Sequence, residues 1–353
     1  MGCAIAHELA SRGARVQLID PRGVGRGATR ASAGILAPHI EGHIPELHRL
    51  AARSLSMYDD FIDRVEHDSN RSIEYSRNGT LQVALNDAEA AVLASDAQSL
   101  ARNRIEYSLT NRDGARQMVP ALSERVTSAL LVPSHGYVAA TALTEALADA
   151  ARARGVRLTA TSVRSIEGAT ATARVITDDG IIESDVVVVA SGSWSVPSRP
   201  SEGPAVKPIR GQLVQLRCDA TLAPHVIWGQ ECYLVPWSDG TVLVGATVED
   251  VGFDERSTAG GVRSLLNAAI SLVPALERAR FEEVRVGFRP KSADELPIVG
   301  RSATMPRVFY AVGHYRNGVL LAPLTAALIA DLILEDKERA ELALVRPGRL
   351  ANA

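Results

Sequence analysis

Cysteine is scarce in this chain. Cys3, Cys218 and Cys232 are its three thiols in 353 residues, and they lie far apart. Zinc ribbons and disulfide scaffolds need more cysteines at closer spacing. The thiols therefore read as reduced and buried, in keeping with a cytoplasmic protein. Lysine is equally rare. Lys207, Lys291 and Lys337 are the three lysines among 38 basic residues. With alanine so abundant, this reads as a nucleotide-composition bias of the source genome, so an arginine gains meaning only from its context. There is no basic excess: the net charge is −3 and the pI about 6.3. That argues against nucleic acid or an anionic membrane as partner. No apolar run reaches the roughly 18–20 residues that span a bilayer. The first residues lack the charged-then-apolar layout of a signal peptide. His7, His39, His135 and His314 are not spaced as metal ligands, so no metal is expected.

What remains is ordinary for a globular protein: 46% hydrophobic and 22% charged residues,. The length suggests two domains or one composite fold. Residues 3–13 read as a helix stopped by Gly13, and 15–20 as a short strand ending at Asp20,. Helices are expected over 46–66, 86–104, 141–154 and about 259–272. Strands are expected over 80–85, 156–166, 173–177 and 181–190. Val186–Ala190 is apolar on both faces, as a buried parallel strand is,. Antiparallel strands follow at 211–217, 232–236, 241–247 and 281–288. The strand 307–312, the loop 313–318 and an apolar helix from Val319 to Leu334 close the pattern. Nucleotide-type pieces lie at both ends and in the middle, so the domains interleave along the chain.

Three constellations could carry chemistry. Gly2 and Asp20 stand as the last glycine of a G-x-G-x-x-G turn stands to the acidic residue that takes a ribose,. The other reading is a capped surface helix followed by a strand-end Asp. On the first reading the opening strand and leading glycines of the unit are missing, which predicts about 15 upstream in-frame residues of apolar strand plus Gly-x-Gly. Gly313–Gly318 lies between a strand and a helix, where backbone amides suit a phosphate or the negative edge of a reduced flavin. It could equally be a plain connecting loop. Arg289, in Gly287-Phe-Arg-Pro290, is placed as a fixed cation for a carboxylate, or else as a surface ion pair.

Taken together, the sequence resembles the amino-acid-oxidising flavoproteins of the D-amino-acid oxidase type, and within them the glycine oxidases of the thiamine pathway. The resemblance rests on Gly2-Cys-Ala-Ile-Ala6, Gly27-Ala-Thr29, Ala33-Gly-Ile-Leu-Ala-Pro38, Val188–Trp194, Cys232-Tyr-Leu-Val-Pro236, Leu243–Thr247, Gly287-Phe-Arg-Pro290, Leu296–Arg301 and Gly313–Pro323. These stretches run in order through nearly the whole chain, and the last is the most specific. The resemblance implies an α/β fold: an FAD-binding, Rossmann-like three-layer domain, its first strand missing, joined to a substrate domain on a mixed, largely antiparallel sheet. The implied division is 1–80, 140–200 and 290–345 for FAD, and 81–139 with 201–289 for substrate.

The resemblance also implies roles. FAD would be held by Gly2, Asp20, Ala28, Thr29, Ala33, Gly34, Ile35, Val163, Gly192 and Trp194, and by the run His314, Tyr315, Arg316, Asn317, Gly318, Val319, Leu320. Arg289 would bind the substrate carboxylate, with Tyr233 donating a second hydrogen bond and Arg316 nearby. His314 would offer backbone rather than ring. Residues 290–297 hold no cysteine of the kind that links flavin covalently in some relatives, so FAD would be non-covalent. The implied reaction is oxidation of glycine, or of a small N-methyl or D-amino acid, by O2. It would yield the oxo acid, ammonia or amine, and hydrogen peroxide, in thiamine biosynthesis. A quinone-reducing D-amino-acid dehydrogenase and a non-catalytic FAD-fold protein are the alternatives. A homo-oligomer, a tetramer by resemblance, is the expected assembly.

Overall fold

The computed structural model describes residues 1–40, 44–168, 172–194, 198–199 and 204–349. It is an α/β fold. Helix Gly2–Ser11 is buried from Cys3 to Ala10. It packs against helices Ala140–Ala153 and Ala322–Leu334. Small residues on its faces, Ala4, Ala6 and Ala10, let the helices approach closely while Ile5 and Leu9 join the main core,. Helix Ala322–Leu334 is buried along most of its length. An all-round apolar helix is expected where a helix lies inside a core.

Two parallel strand pairs lie near these helices. Gln17–Ile19 pairs with Arg157–Thr159. Val187–Val189 pairs with Val308–Val312, which also pairs with Ile298–Arg301 in the antiparallel sense. Among the described residues these are separate two- and three-stranded sheets. Two long strands expected from sequence are each divided. Residues 156–166 form Arg157–Thr159 and the start of Val163–Gly168; residues 181–190 form most of Gly180–Ser184 and then Val187–Val189. Val163–Gly168, Ala173–Thr177 and Gly180–Ser184 instead build an antiparallel meander. The expected helix 46–66 is also two helices, Pro45–Ser56 and Tyr58–Ser69, joined at Met57.

An eight-stranded sheet dominates the rest. In spatial order its strands are Arg280–Lys291, Lys207–Arg217, Thr241–Gly245, Tyr233–Pro236, Val226–Trp228, Thr80–Ala84, Ser128–Val132 and Ser108–Asn111. Neighbours are antiparallel except Val226–Trp228 beside Thr80–Ala84. Alternation gives the sheet two faces. Val214, Leu216, Leu234, Val242 and Val244 pack with Leu265, Ala269 and Leu272 of helix Ala259–Leu272. Leu213, Val235 and Leu243 turn the other way, toward Ala33 and Tyr137. That second face carries the site. No helix among the described residues is long and apolar enough to cross a membrane.

Candidate active site

A cavity of about 2130 Å³ lies between the parallel strands and the second face of the large sheet. Every residue named above for FAD or substrate lies on its wall, from Gly2 to Leu320. Gly2, Asp20 and Val163 lie on this wall. Asp20 follows strand Gln17–Ile19; its amide donates to the Thr159 carbonyl (3.1 Å), and its Oδ1 accepts from the Arg22 amide (2.9 Å). Its side chain is exposed.

The middle of the wall is built from small residues. Ala28–Ala31 forms a single 3-10 turn. Gly34 has φ +68°, and a Cβ there would lie 1.8 Å from the Val138 carbonyl oxygen. The same backbones are tied by the Val138 amide donating to the Gly34 carbonyl (2.9 Å). Only glycine meets both conditions. Trp194 closes this stretch. Its ring stacks on Phe253 at 5.8 Å and lies under the Arg22 guanidinium at 4.6 Å.

Strand Val308–Val312 runs into Gly313 at φ +72°. Tyr315 has left-handed backbone, and its amide donates to the Pro290 carbonyl (2.8 Å). The Asn317 amide donates to the His314 carbonyl (2.9 Å), and the Leu321 amide to the Asn317 carbonyl (2.8 Å). The ring of His314 is turned away into the protein, where Nε2 and Thr325 Oγ1 share a 3.2 Å hydrogen bond. Burial, followed by the nearby amino terminus, pushes its pKa down to about 3. The Tyr58 hydroxyl donates to the Val319 carbonyl at 2.5 Å from beneath. Helix formation starts later than the sequence suggested. Residues 318–321 are turns, and the helix opens at Ala322 with Pro323 in its first turn. The dipole end therefore lies at Ala322, about one turn beyond Gly318.

The carboxylate-binding candidates come from the large sheet. Arg289 pairs with Ile209, and Gly287 with Gly211. Leu213 pairs with Gly245, Gly245 with Tyr233, and Tyr233 with Trp228. Strand alternation therefore puts Arg289, Gly211, Gly245, Tyr233 and Trp228 on one face. The half-buried Arg289 donates from Nη1 to the Thr247 carbonyl at 2.9 Å. Tyr233 is half-buried and lies 5.1 Å from the Trp228 ring, centroid to centroid. Arg316 is exposed on the cavity wall, its guanidinium 5.2 Å from the Tyr315 ring centre. Val248, 53% exposed, also borders the cavity.

Sequence reading missed three contributors: Trp228, the Thr247 carbonyl, and the bare backbone of Gly211. Trp228 had a usable signal, since it ends a strand four residues before the Cys232-Tyr motif. A carbonyl and a missing side chain leave none.

The chain's walls fit an extended dinucleotide. One cavity takes in Asp20 beyond strand Gln17–Ile19, the turn Ala28–Ala31 and the 313–320 loop. Among the described residues no group of His, Cys, Asp and Glu could hold a metal ion.

Comparison with known proteins agrees with this geometry. The chain is 36% identical over 350 residues to the bifunctional protein ThiO/ThiG of Nostoc sp., a match covering 96% of this chain and 52% of that protein. The chain thus spans about half the length of the first curated relatives it matches. It is 33% identical over 346 residues to the glycine oxidase of Geobacillus kaustophilus, covering 96% of this chain and 92% of that protein. The crystal structure of glycine oxidase from Geobacillus kaustophilus superposes with a TM-score of 0.93 at 32% identity, over 99% of this chain and 95% of that one. That of iminodiacetate oxidase from Chelativorans sp. BNC1 superposes at 0.88 with 27% identity, over 98% and 96%. The family model described as DAO, FAD dependent oxidoreductase, matches residues 1–332, and the chain belongs to that family as an FAD-dependent enzyme.

Proposed function

We propose that this chain oxidises glycine, or a small N-methyl or D-amino acid, to the oxo acid with release of ammonia or amine and hydrogen peroxide. The observation that carries the reading is the placement of Arg289 and Tyr233 on one sheet face in the cavity wall, with the 313–320 loop tied to the Arg289 strand through the Tyr315 amide and the Pro290 carbonyl. The names of its relatives, glycine oxidase and ThiO/ThiG, support the substrate and a place in thiamine biosynthesis.

Bound FAD would accept two electrons from the substrate and pass them to O2. The residues of this chain do the positioning. Arg289 spends one N–H on the Thr247 carbonyl, which fixes the plane of its guanidinium. Its remaining N–H groups take the carboxylate, and Tyr233 donates a second bond. A substrate held by its carboxylate presents its α-carbon in one orientation. The 313–320 loop, with Gly2, Asp20, Ala28, Thr29, Ala33–Ile35, Val163, Gly192 and Trp194, holds the cofactor. No side-chain base is invoked if the amine arrives neutral. The His314 ring, neutral and bonded to Thr325, serves the loop instead.

The proposal extends to the division of labour in the chain. The cofactor unit comprises 1–80, 140–200 and 290–345, and the substrate unit 81–139 and 201–289. The eight-stranded sheet supports this, because its strands come from 80–132 and 207–291. FAD is held non-covalently, the protein works in the cytoplasm, and it assembles as a homo-oligomer.

The test is peroxide and glyoxylate release from glycine by FAD-loaded protein with no added acceptor. Turnover confined to added quinone would point to a dehydrogenase. A flavin that glycine fails to bleach without air would overturn the proposal.

A further inference from the structure

Three glycines stand where the second face of the large sheet meets the site, and each is covered by something functional. A Cβ on Gly287 would lie 2.7 Å from Ala31 Cβ, so the turn lining the middle of the cavity rests on that backbone. A Cβ on Gly245 would lie 2.5 Å from the Tyr233 hydroxyl oxygen and 2.6 Å from its ring. A Cβ on Gly211 would lie 2.4 Å from Arg289 Nη1, and 2.7 Å from both Cζ and Nη2. The Arg289 guanidinium therefore lies flat on the Gly211 backbone, held there by the bond from Nη1 to the Thr247 carbonyl.

We infer that Gly211 is a positioning residue for substrate carboxylates: its bare backbone is the seat that sets the depth of the Arg289 guanidinium. The inference rests on Arg289 being the carboxylate anchor. A guanidinium gives a strong paired bond only when its plane and height match the carboxylate. A methyl group at Gly211 would occupy that seat. Gly211 lies mid-strand without a left-handed φ, so alanine suits its backbone,. The atoms in the way are the far end of a flexible side chain, so the guanidinium moves rather than the strand. The consequence falls on binding and not on folding. Gly245 does the same for Tyr233.

The experiment is a double-mutant cycle on FAD-loaded protein with Gly211→Ala, Arg289→Ala and both together. It reads the dissociation constant of acetate, a carboxylate with no amine to oxidise, by calorimetry. The KM and kcat for glycine, the FAD content and Tm are read beside it. Gly211→Ala is expected to weaken acetate and raise the glycine KM by at least about tenfold, with a smaller change in kcat. FAD content should match the parent and Tm should shift by no more than about 2 °C. In the Arg289→Ala background, adding Gly211→Ala should change acetate binding by less than about twofold.

Normal acetate binding by Gly211→Ala, beside a large loss in Arg289→Ala, overturns the inference and leaves the anchor reading intact. An equal loss from Gly211→Ala in both backgrounds overturns it as well, as does a large fall in Tm, which would mean that the strand yields. Normal binding by Arg289→Ala would sink the anchor reading itself.

Discussion

At the residue scale, function depends on what Arg289 and Val248 meet. With Arg289 as the proposed carboxylate anchor, Arg289→Ala would remove a charge-assisted pair, so kcat/KM for glycine should fall by about 3 kcal/mol or more, a hundredfold or greater. Flavin content should stay near that of the parent protein. Steady-state peroxide assays beside a flavin spectrum decide this, and normal turnover would place the substrate elsewhere. Val248 borders the cavity with half its surface exposed, and Arg289 and Tyr233 border it too. A methyl group more or less is worth only ~1–3 kcal/mol in an apolar pocket. D-alanine and sarcosine should therefore react within roughly a hundredfold of glycine by that allowance. L-alanine should fail, because a fixed carboxylate turns its C–H away. A preference for L-alanine over D-alanine would contradict this geometry. Arg289 and Tyr233 stood out in the sequence because their neighbours form motifs. Gly211 and the Thr247 carbonyl did not, because their contribution is backbone shape and register, which no residue letter encodes.

At the element scale, the 313–320 loop is held from below and behind. The buried Tyr58 hydroxyl donates to the Val319 carbonyl, and Thr325 holds the His314 ring. Tyr58→Phe removes one of that carbonyl's two donors, leaving the Ala322 amide at 3.0 Å. The expected cost is about 1 kcal/mol of stability, with weaker FAD retention if the 313–320 loop holds the cofactor as proposed. Equilibrium dialysis of FAD and a thermal melt would check both, and a variant equal to the parent in each would show that the bond is dispensable. The helix behind the loop has its own clamp. Asp331 is buried and accepts from Arg12 Nη1 at 2.6 Å and from Arg339. Burial alone would raise its carboxyl, but the two arginines hold it below the usual range. Asp331→Asn weakens both pairs and should destabilise by about 2 kcal/mol or more. Urea denaturation measures it. The late start of this helix was partly legible: Pro323 belongs in a first turn, which already disfavours an onset at Val319. The break at Met57 had no such signal. It has neither glycine nor proline, and the helical pattern continues across it.

At the scale of the whole molecule, the α/β class and the largely antiparallel second sheet were legible because alternation and β-branched runs report burial directly. The grouping of strands was less so. Val156–Ile166 reads as one strand, yet its two halves serve different sheets, and that choice is made by packing partners far along the chain. The same packing buries His135 and His314 and half-buries His39, and this gives the fold a pH dependence. Burial, with the charge of His48, lowers His39 to about 4. Burial also holds His135 well below its ordinary value, with His39 and Arg77 adding to it. His314 lies at about 3. The folded protein thus keeps these rings neutral where the unfolded chain, titrating near 6.5, takes up protons. Between about pH 6.5 and 4 the unfolded state binds more protons than the folded one, so stability must fall as pH falls. The slope is up to about 1.4 kcal/mol per pH unit for each such ring. Above about pH 7 the contribution is fully present and flat. Urea midpoints taken at intervals from pH 8 to pH 5 should hold steady and then decline. Replacing His135 with Phe, which cannot titrate, should flatten the decline by about one ring's share. A stability that is level from pH 8 to pH 5 would mean that these histidines meet water or a partner in the folded protein, contrary to the packing described.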